Sequence, residues 1–190
     1  MTVRTTYYTA ASLDGFVADP QDSLAWLFAQ HHENPADASL TYDALLARTG
    51  AVLMGATTYL WIRGHVVDSG EGWPYDLPTW VMTHHERAGV DGADVRFASG
   101  DVAAVHADVV ASAAGRDVWV VGGGDLAGQL ADAGLLDDVV VSLAPVVLGA
   151  GRPLLPRRLQ LRLAEHGTAG DLLTARYDVV GPRPGVDWTA

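Results

Sequence analysis

Cysteine is absent from the 190 residues, which excludes disulfides, thiolate catalysis and cysteine–zinc sites together. Positive charge is scarce: 12 basic residues stand against 23 acidic ones, the formal net charge is −11, and there is no lysine-rich block. A polyanion such as DNA meets a repulsive overall field, so nucleic acid is not an expected partner, although a small phosphorylated ligand suits arginines and histidines gathered locally. No apolar run approaches the roughly 20 residues of a membrane-spanning helix. Met1 to Thr5 leads into a strand-like segment without the apolar stretch and cleavage site of a signal peptide. The expectation is a cytoplasmic protein with no membrane partner. The chain is 49% hydrophobic and 18% charged, as folded globular proteins are, and its length suits one domain over residues 1–180 with a tail over 181–190.

The stretch from Val118 to Ala127 stops an apolar run at Gly122, Gly123 and Gly124 and then takes a helical pattern from about Asp125. It predicts strand, tight turn and helix, with close backbone approach at the glycines and the positive helix end favouring an anion. Ala51 to Gly55, followed by Ala56 to Trp61, predicts a second such corner. Elsewhere the patterns predict a strand from Thr5 to Ala11 and a turn at Ser12 to Gly15. A short helix follows from Asp22, and a second helix stops at Gly50. Gly64 to Pro78 reads as a surface excursion. Short strands are predicted at Thr79 to Thr83 and Asp94 to Ala98, and a helix from Val102 to Ala114 capped by Asp101. Val139 to Leu148 reads as a buried strand interrupted at Pro145. Leu159, Leu161 and Leu163 alternate inward on the first arm of a C-terminal hairpin that turns over Gly167 to Gly170 and returns from Leu172 to Val180. Strands alternating with helices imply an α/β fold with a mixed, mostly parallel sheet, helices on both faces and an antiparallel edge.

Gly122, Gly124 and Ala127 satisfy the spacing G-x-G-x-x-G/A of a dinucleotide fingerprint. The acidic residue that should follow about 20 positions later is missing, because Val141 to Ala144 is apolar apart from Ser142. A glycine corner used only for packing is the structural alternative. The wider pattern resembles a different family. Ser12-Leu13-Asp14-Gly15-Phe16-Val17-Ala18, Leu53-Met54-Gly55-Ala56-Thr57-Thr58-Tyr59, Val120-Val121-Gly122-Gly123-Gly124-Asp125-Leu126 and the run from Leu135 to Leu155 occur in the order found in the dihydrofolate reductase-like fold. The resemblance is to the reductase domain of the bifunctional riboflavin-pathway deaminase–reductase and its stand-alone relatives. It implies a three-layer fold and an NADPH-dependent reductase of the 5-amino-6-(5-phosphoribosylamino)uracil reductase or dihydrofolate reductase type. By position, the resemblance places Ala11, Val17 and Ala18 beside the nicotinamide. Gly55, Thr57 and Thr58 then meet the phosphates at one helix N-terminus, and Gly122, Gly123, Gly124, Asp125 and Leu126 at the other.

Three departures stand out. Ala56 replaces an arginine that many relatives direct at the adenosine 2′-phosphate, and Thr83, His84 and Arg87 are the nearest substitutes. Ser23 stands where dihydrofolate reductase has its acid, leaving Asp22, one residue away, as the catalytic candidate or as a helix cap. Phe16 and Val121 replace a lysine and a glutamate that handle a ribose phosphate in the riboflavin-pathway enzymes. Trp26 and Tyr59 are candidates to stack on a flat substrate. No metal site is expected, since neighbouring His84 and His85 point to opposite faces of an extended segment. The reading is an NADPH-dependent oxidoreductase, working as a homodimer on a small heterocycle. A non-catalytic dimeric protein holding a heterocycle or nucleotide in the same cleft is the alternative.

Overall fold

A computed structural model describes residues 2–35 and 38–181, so the tail expected over 181–190 lies outside the described residues except for Gly181. In chain order the elements are β1 (Thr5–Ser12), β2 (Phe16–Ala18), α1 (Ala25–Phe28), α2 (Tyr42–Arg48), β3 (Thr49–Gly55) and α3 (Ala56–Ile62). There follow β4 (Thr79–Met82), β5 (Val95–Ala98), α4 (Val102–Ser112), β6 (Asp117–Gly122), α5 (Gly124–Asp132), β7 (Asp138–Ala144), β8 (Arg152–Pro153), β9 (Gln160–Ala169) and β10 (Leu172–Gly181). Eight strands form one sheet in the order β5-β4-β3-β6-β1-β7-β10-β9. The first six run parallel, and β10 and β9 close one side antiparallel. β2 and β8 make a separate two-stranded ribbon. Among the described residues no helix is long and apolar enough to cross a membrane.

The layers follow from the period of two in buried strands. On β3, Ala51 and Leu53 join Val118 and Val120 of β6 under Val105 and Val109 of α4 and Leu126, Ala127 and Leu130 of α5. The intervening Val52 and Met54 join Trp119 of β6 and Val81 of β4 under Leu45 of α2 and Tyr59 and Ile62 of α3. Both faces of these strands are therefore covered, and a near-continuous apolar run such as Ala51 to Met54 is the pattern such burial requires.

Four expectations need correction. Gly50 is not a helix stop: β3 already starts at Thr49, and a Cβ on Gly50 would strike the carbonyl of Ala113, so glycine serves a close approach there. Leu163 points outward and is 52% exposed, because β9 is an edge strand with a shift in register beside Tyr177. The hairpin turns on Gly170 and Asp171 alone, with φ of +64° at Gly170, while Gly167 stays in the strand. The excursion from Gly64 opens with a π-helical turn, Arg63–Val67, which continues α3.

His106 of α4 is buried, and its Nε2 lies 2.7 Å from Thr5 Oγ1 at the start of β1. Burial lowers its pKa below the ordinary histidine range, against a smaller opposing effect of Asp137. The folded state thus holds the proton less well than the unfolded chain, and stability falls as pH drops below about 6.5. His106→Gln should flatten this part of the curve, seen as a smaller loss of Tm between pH 7 and pH 5.5 in parallel thermal melts.

Candidate functional site

Parallel pairing puts the carboxyl ends of β4, β3, β6 and β1 along one edge of the sheet. Gly55 lies opposite Met82, and Met54 opposite Gly122. β6 has an extra residue at this edge: Leu53 faces Val120 and Met54 faces Gly122, so Val121 is a bulge. Pairing of β6 with β1 stops at Tyr7 opposite Val120, whereas β1 continues beside β7 as far as Ser12. From Tyr8 onward β1 and β6 part, and a crevice opens where the strand order changes direction, the usual place for ligands in open α/β sheets. Its base is closed by Trp119, whose Nε1 donates to the Tyr8 carbonyl at 3.2 Å. Tyr42 and Tyr75 meet the same indole edge-on at 5.6 and 5.3 Å.

The two glycine corners flank this crevice and touch one another. A Cβ on Gly123 would lie 3.7 Å from the Gly55 nitrogen, and one on Gly122 would lie 2.5 Å from Thr58 Oγ1. Gly123 takes φ of +100°, which a residue with a side chain seldom adopts. Helices α2 and α4 are capped by side chains, Thr41 to Ala44 N at 3.1 Å and Asp101 to Ala103 N and Ala104 N at 3.0 Å each. Neither α3 nor α5 has a side-chain cap, so no capping side chain satisfies their first amides. The side chain of Leu126 is in the core and that of Asp125 is bonded to Arg157 and Gln129, so both would act through backbone amides.

Gly124 has a different reason to be glycine. A Cβ there would strike the carbonyls of Pro153 and Leu154, because the segment after β8 lies against the start of α5. That segment also carries the loop holding Val17 and Ala18. β2 pairs with β8 through Phe16 opposite Pro153 and Ala18 opposite Arg152, and Leu154 N donates to the Gly15 carbonyl at 2.8 Å. Asp14 completes the fastening. Its carboxylate accepts from Leu148 N at 3.1 Å, Gly149 N at 2.7 Å and Ser12 Oγ at 2.6 Å, and the Ser12 bond leads the causes that hold its pKa down. Ala11, in the part of β1 beyond its pairing with β6, is fully buried, so its side chain offers no surface to a ligand.

Two candidates do not fit the tasks suggested for them. Tyr59 is fully buried among Trp73 and Phe97 and donates its hydroxyl to the Ala88 carbonyl, so it offers no face to a ligand. Asp22 is gripped by Arg152, at 2.6 Å from Nε and 3.0 Å from Nη2, and this fork keeps its carboxyl ionised and below the usual range. It has φ of +60° and acts as a loop anchor; the neighbouring Ser23 Oγ accepts from Ala25 N at 3.2 Å. Trp26 packs on Ala144, Ala169 and Leu172, with an indole nitrogen that is buried and unpartnered.

Beyond β4, Thr83 Oγ1 bonds the backbone of His85, leaving His84 and His85 exposed. Arg87 has a buried, unpartnered Nε. Arg63 reaches the same loop, donating to the Ala88 carbonyl at 3.1 Å. Sequence reasoning passed over Arg63, although it lies seven residues after Ala56, on the same helical face two turns on. Two hollows, of about 380 Å³ beside Trp73, Pro78 and Asp94 and about 500 Å³ beside Arg4, Asp137 and Arg162, lie at the opposite, amino-terminal edge of the sheet.

Gly124→Ala should destabilise the fold by about 1–3 kcal/mol in urea unfolding, since two backbone oxygens must shift. Asp22→Asn should cost no more than about 1 kcal/mol, the range of an exposed ion pair, in the same measurement.

Known proteins share this fold. Residues 4–173 match the family model described as RibD C-terminal domain. The uncharacterised Bacillus subtilis (strain 168) protein YwjB is 26% identical over 177 residues, covering 92% of this chain and 97% of that one. The crystal structure of a putative riboflavin biosynthesis protein from Shewanella sp. PV-4 superposes with a TM-score of 0.76 at 24% identity, over 93% of this chain and 99% of that one. Dihydrofolate reductase from Enterococcus faecalis, in complex with NADP(H) and RAB-propyl, shares the fold with a TM-score of 0.54 at 12% identity, over 93% and 94% of the two chains. The chain has the dihydrofolate reductase-like α/β fold and belongs to the RibD C-terminal domain family.

Proposed function

We propose that the protein is an NADPH-dependent reductase of a small, flat heterocycle, of the 5-amino-6-(5-phosphoribosylamino)uracil reductase or dihydrofolate reductase type. The observation that carries this reading is the meeting of two uncapped glycine corners beside the crevice between β1 and β6. Backbone amides at Gly55, Thr57 and Thr58 and at Gly122 to Leu126 suit the two sides of a pyrophosphate. Thr83, His84 and Arg87 suit a 2′-phosphate, with the orphaned Arg87 Nε as the donor still lacking an acceptor. Ala11, Val17 and Ala18 border the place for the nicotinamide, and the bond set around Asp14 holds their loop in position.

The cofactor, when bound, supplies the hydride. The chain's part is to hold it, to orient the acceptor ring and to exclude bulk water from the crevice. Asp22 is committed to Arg152, so the proton that accompanies the hydride comes from water. That commitment and Ala56 favour the second reading, a binding protein without turnover. A homodimer in the cytoplasm is the proposed working form, with the outer edge of β9, which no strand pairs among the described residues, as the place for a second copy.

Titration with NADPH and with NADH, followed by nicotinamide fluorescence, tests the reading; failure to bind either would overturn it. Arg87→Ala should weaken NADPH by about 1.5–3 kcal/mol and leave NADH unchanged. An unchanged ratio would remove the cluster from 2′-phosphate recognition. NADPH binding without oxidation in the presence of pterins, pyrimidines or small carbonyl compounds would favour the binding protein.

A further inference from the structure

Glycine is a poor residue for the interior of a helix, yet Gly128 stands in the middle of α5, between Ala127 and Gln129. The reason lies outside the helix. The side chain of Arg157, from the segment after β8, lies across Gly128, where a Cβ would come within 2.9 Å of its Cγ and 3.1 Å of its Cζ. This sets the guanidinium between the two carboxylates of the helix: Nε donates to Asp132 Oδ2 at 2.6 Å and Nη2 to Asp125 Oδ1 at 3.0 Å. Gln129, one turn beyond Asp125, takes the other oxygen, its Nε2 donating to Oδ2 at 2.8 Å. The bond from Gln129 first, and those from Arg157 after it, hold the Asp125 carboxyl below its usual range.

Asp125 belongs to the first turn of α5, where a carboxylate is drawn toward the positive end of the helix and toward its first amides. It makes no bond of that kind. Both of its oxygens are turned along the side of the helix, to Gln129 and Arg157, and no side chain caps α5.

We propose that Arg157 is a positioning residue for the cofactor phosphates, holding the Asp125 carboxylate along the side of α5 and so keeping an internal anion off the amides assigned to the pyrophosphate. This rests on the reductase reading and concerns the same site. The restraint matters because the Asp125 side chain is 68% exposed and has room to turn. Released from the bridge, it competes with a phosphate for the same amides and repels it at short range. Gly128 is part of the device, since its missing side chain is the space that Arg157 occupies.

The test is a set of NADPH titrations followed by nicotinamide fluorescence, each paired with a thermal melt. Arg157→Gln removes the bridge, whereas Gly128→Ala displaces it, keeps every charge and adds a better helix former. Arg157→Gln should weaken NADPH about fivefold and Gly128→Ala about threefold. In an Asp125→Ala background neither should alter the affinity by as much as about twofold, because the competing carboxylate is gone. Asp125→Ala by itself should bind NADPH at least as tightly as the unchanged protein. Equal losses with and without Asp125, a loss that follows Tm in both backgrounds, or weaker binding by Asp125→Ala alone would each overturn the proposal. If the unchanged protein binds NADPH and the Arg157 and Gly128 variants bind it equally well, this proposal alone fails; absence of binding by the unchanged protein removes the reductase reading as well.

Discussion

The structure depends on a choice made by β6. This strand has β3 on one side and β1 on the other, and at Val121 one extra residue keeps it in register with β3 at the expense of β1. The bulge costs a few ladder hydrogen bonds, and it creates the crevice, since a strand that bends toward one neighbour leaves the other. The two glycine corners are positioned by the same event. Gly122 follows the bulge directly, and its lack of a side chain lets Thr58 sit against it, which brings the start of α3 to the start of α5. A sheet without this bulge would be continuous across its centre, with no slot at the point where two helix N-termini converge.

The second constraint is the fastening of the loop from Leu13 to Leu24. Loops at binding sites are commonly held by little besides their own turns. Here the strand pairing of β2 with β8, the two amides on Asp14 and the fork between Arg152 and Asp22 tie it to the segment from Val146 to Leu154. That segment in turn lies against Gly124, so the loop that carries β2 and the start of α5 share one support. Asp22, the acid one residue from Ser23, is employed in this support.

Much of this was legible in the residues. The glycine corners and the Asp101 cap are signals written within a few adjacent positions, and they appear where the pattern places them; the C-terminal hairpin forms with a tighter turn than expected, and β7 ends at Ala144 where the pattern carried the strand past Pro145 to Leu148. Contacts between distant segments were not legible. Tyr59 reads as an available aromatic until Ala88 is found against its hydroxyl, and Asp22 reads as a free acid until Arg152 is found beside it. Gly50 reads as a helix stop, yet it makes room for a carbonyl of another segment, and Gly124 has that same packing reason to be glycine, which its local pattern does not show. Leu163 alternates correctly with its neighbours, yet an edge strand with shifted register has no core on that side to receive it. Sequence periodicity reports a local preference, and side-chain employment is settled by partners from other elements, between 14 and 130 positions away in these cases.

β1 sits between β6 and β7, near the middle of the sheet, although it is the first strand made. Both of its partners belong to the last half of the chain: Arg4 N bonds Asp117, and Thr5 N bonds Asp137. During synthesis this strand must wait, unpaired, until most of the chain has left the ribosome. The centre of the sheet is consequently completed as a late event in folding, with the slow kinetics expected of long-range parallel pairing. A strand that waits so long is exposed to wrong partners, and the threonines at Thr5, Thr6 and Thr9 keep it less sticky than the valine-rich strands that eventually enclose it.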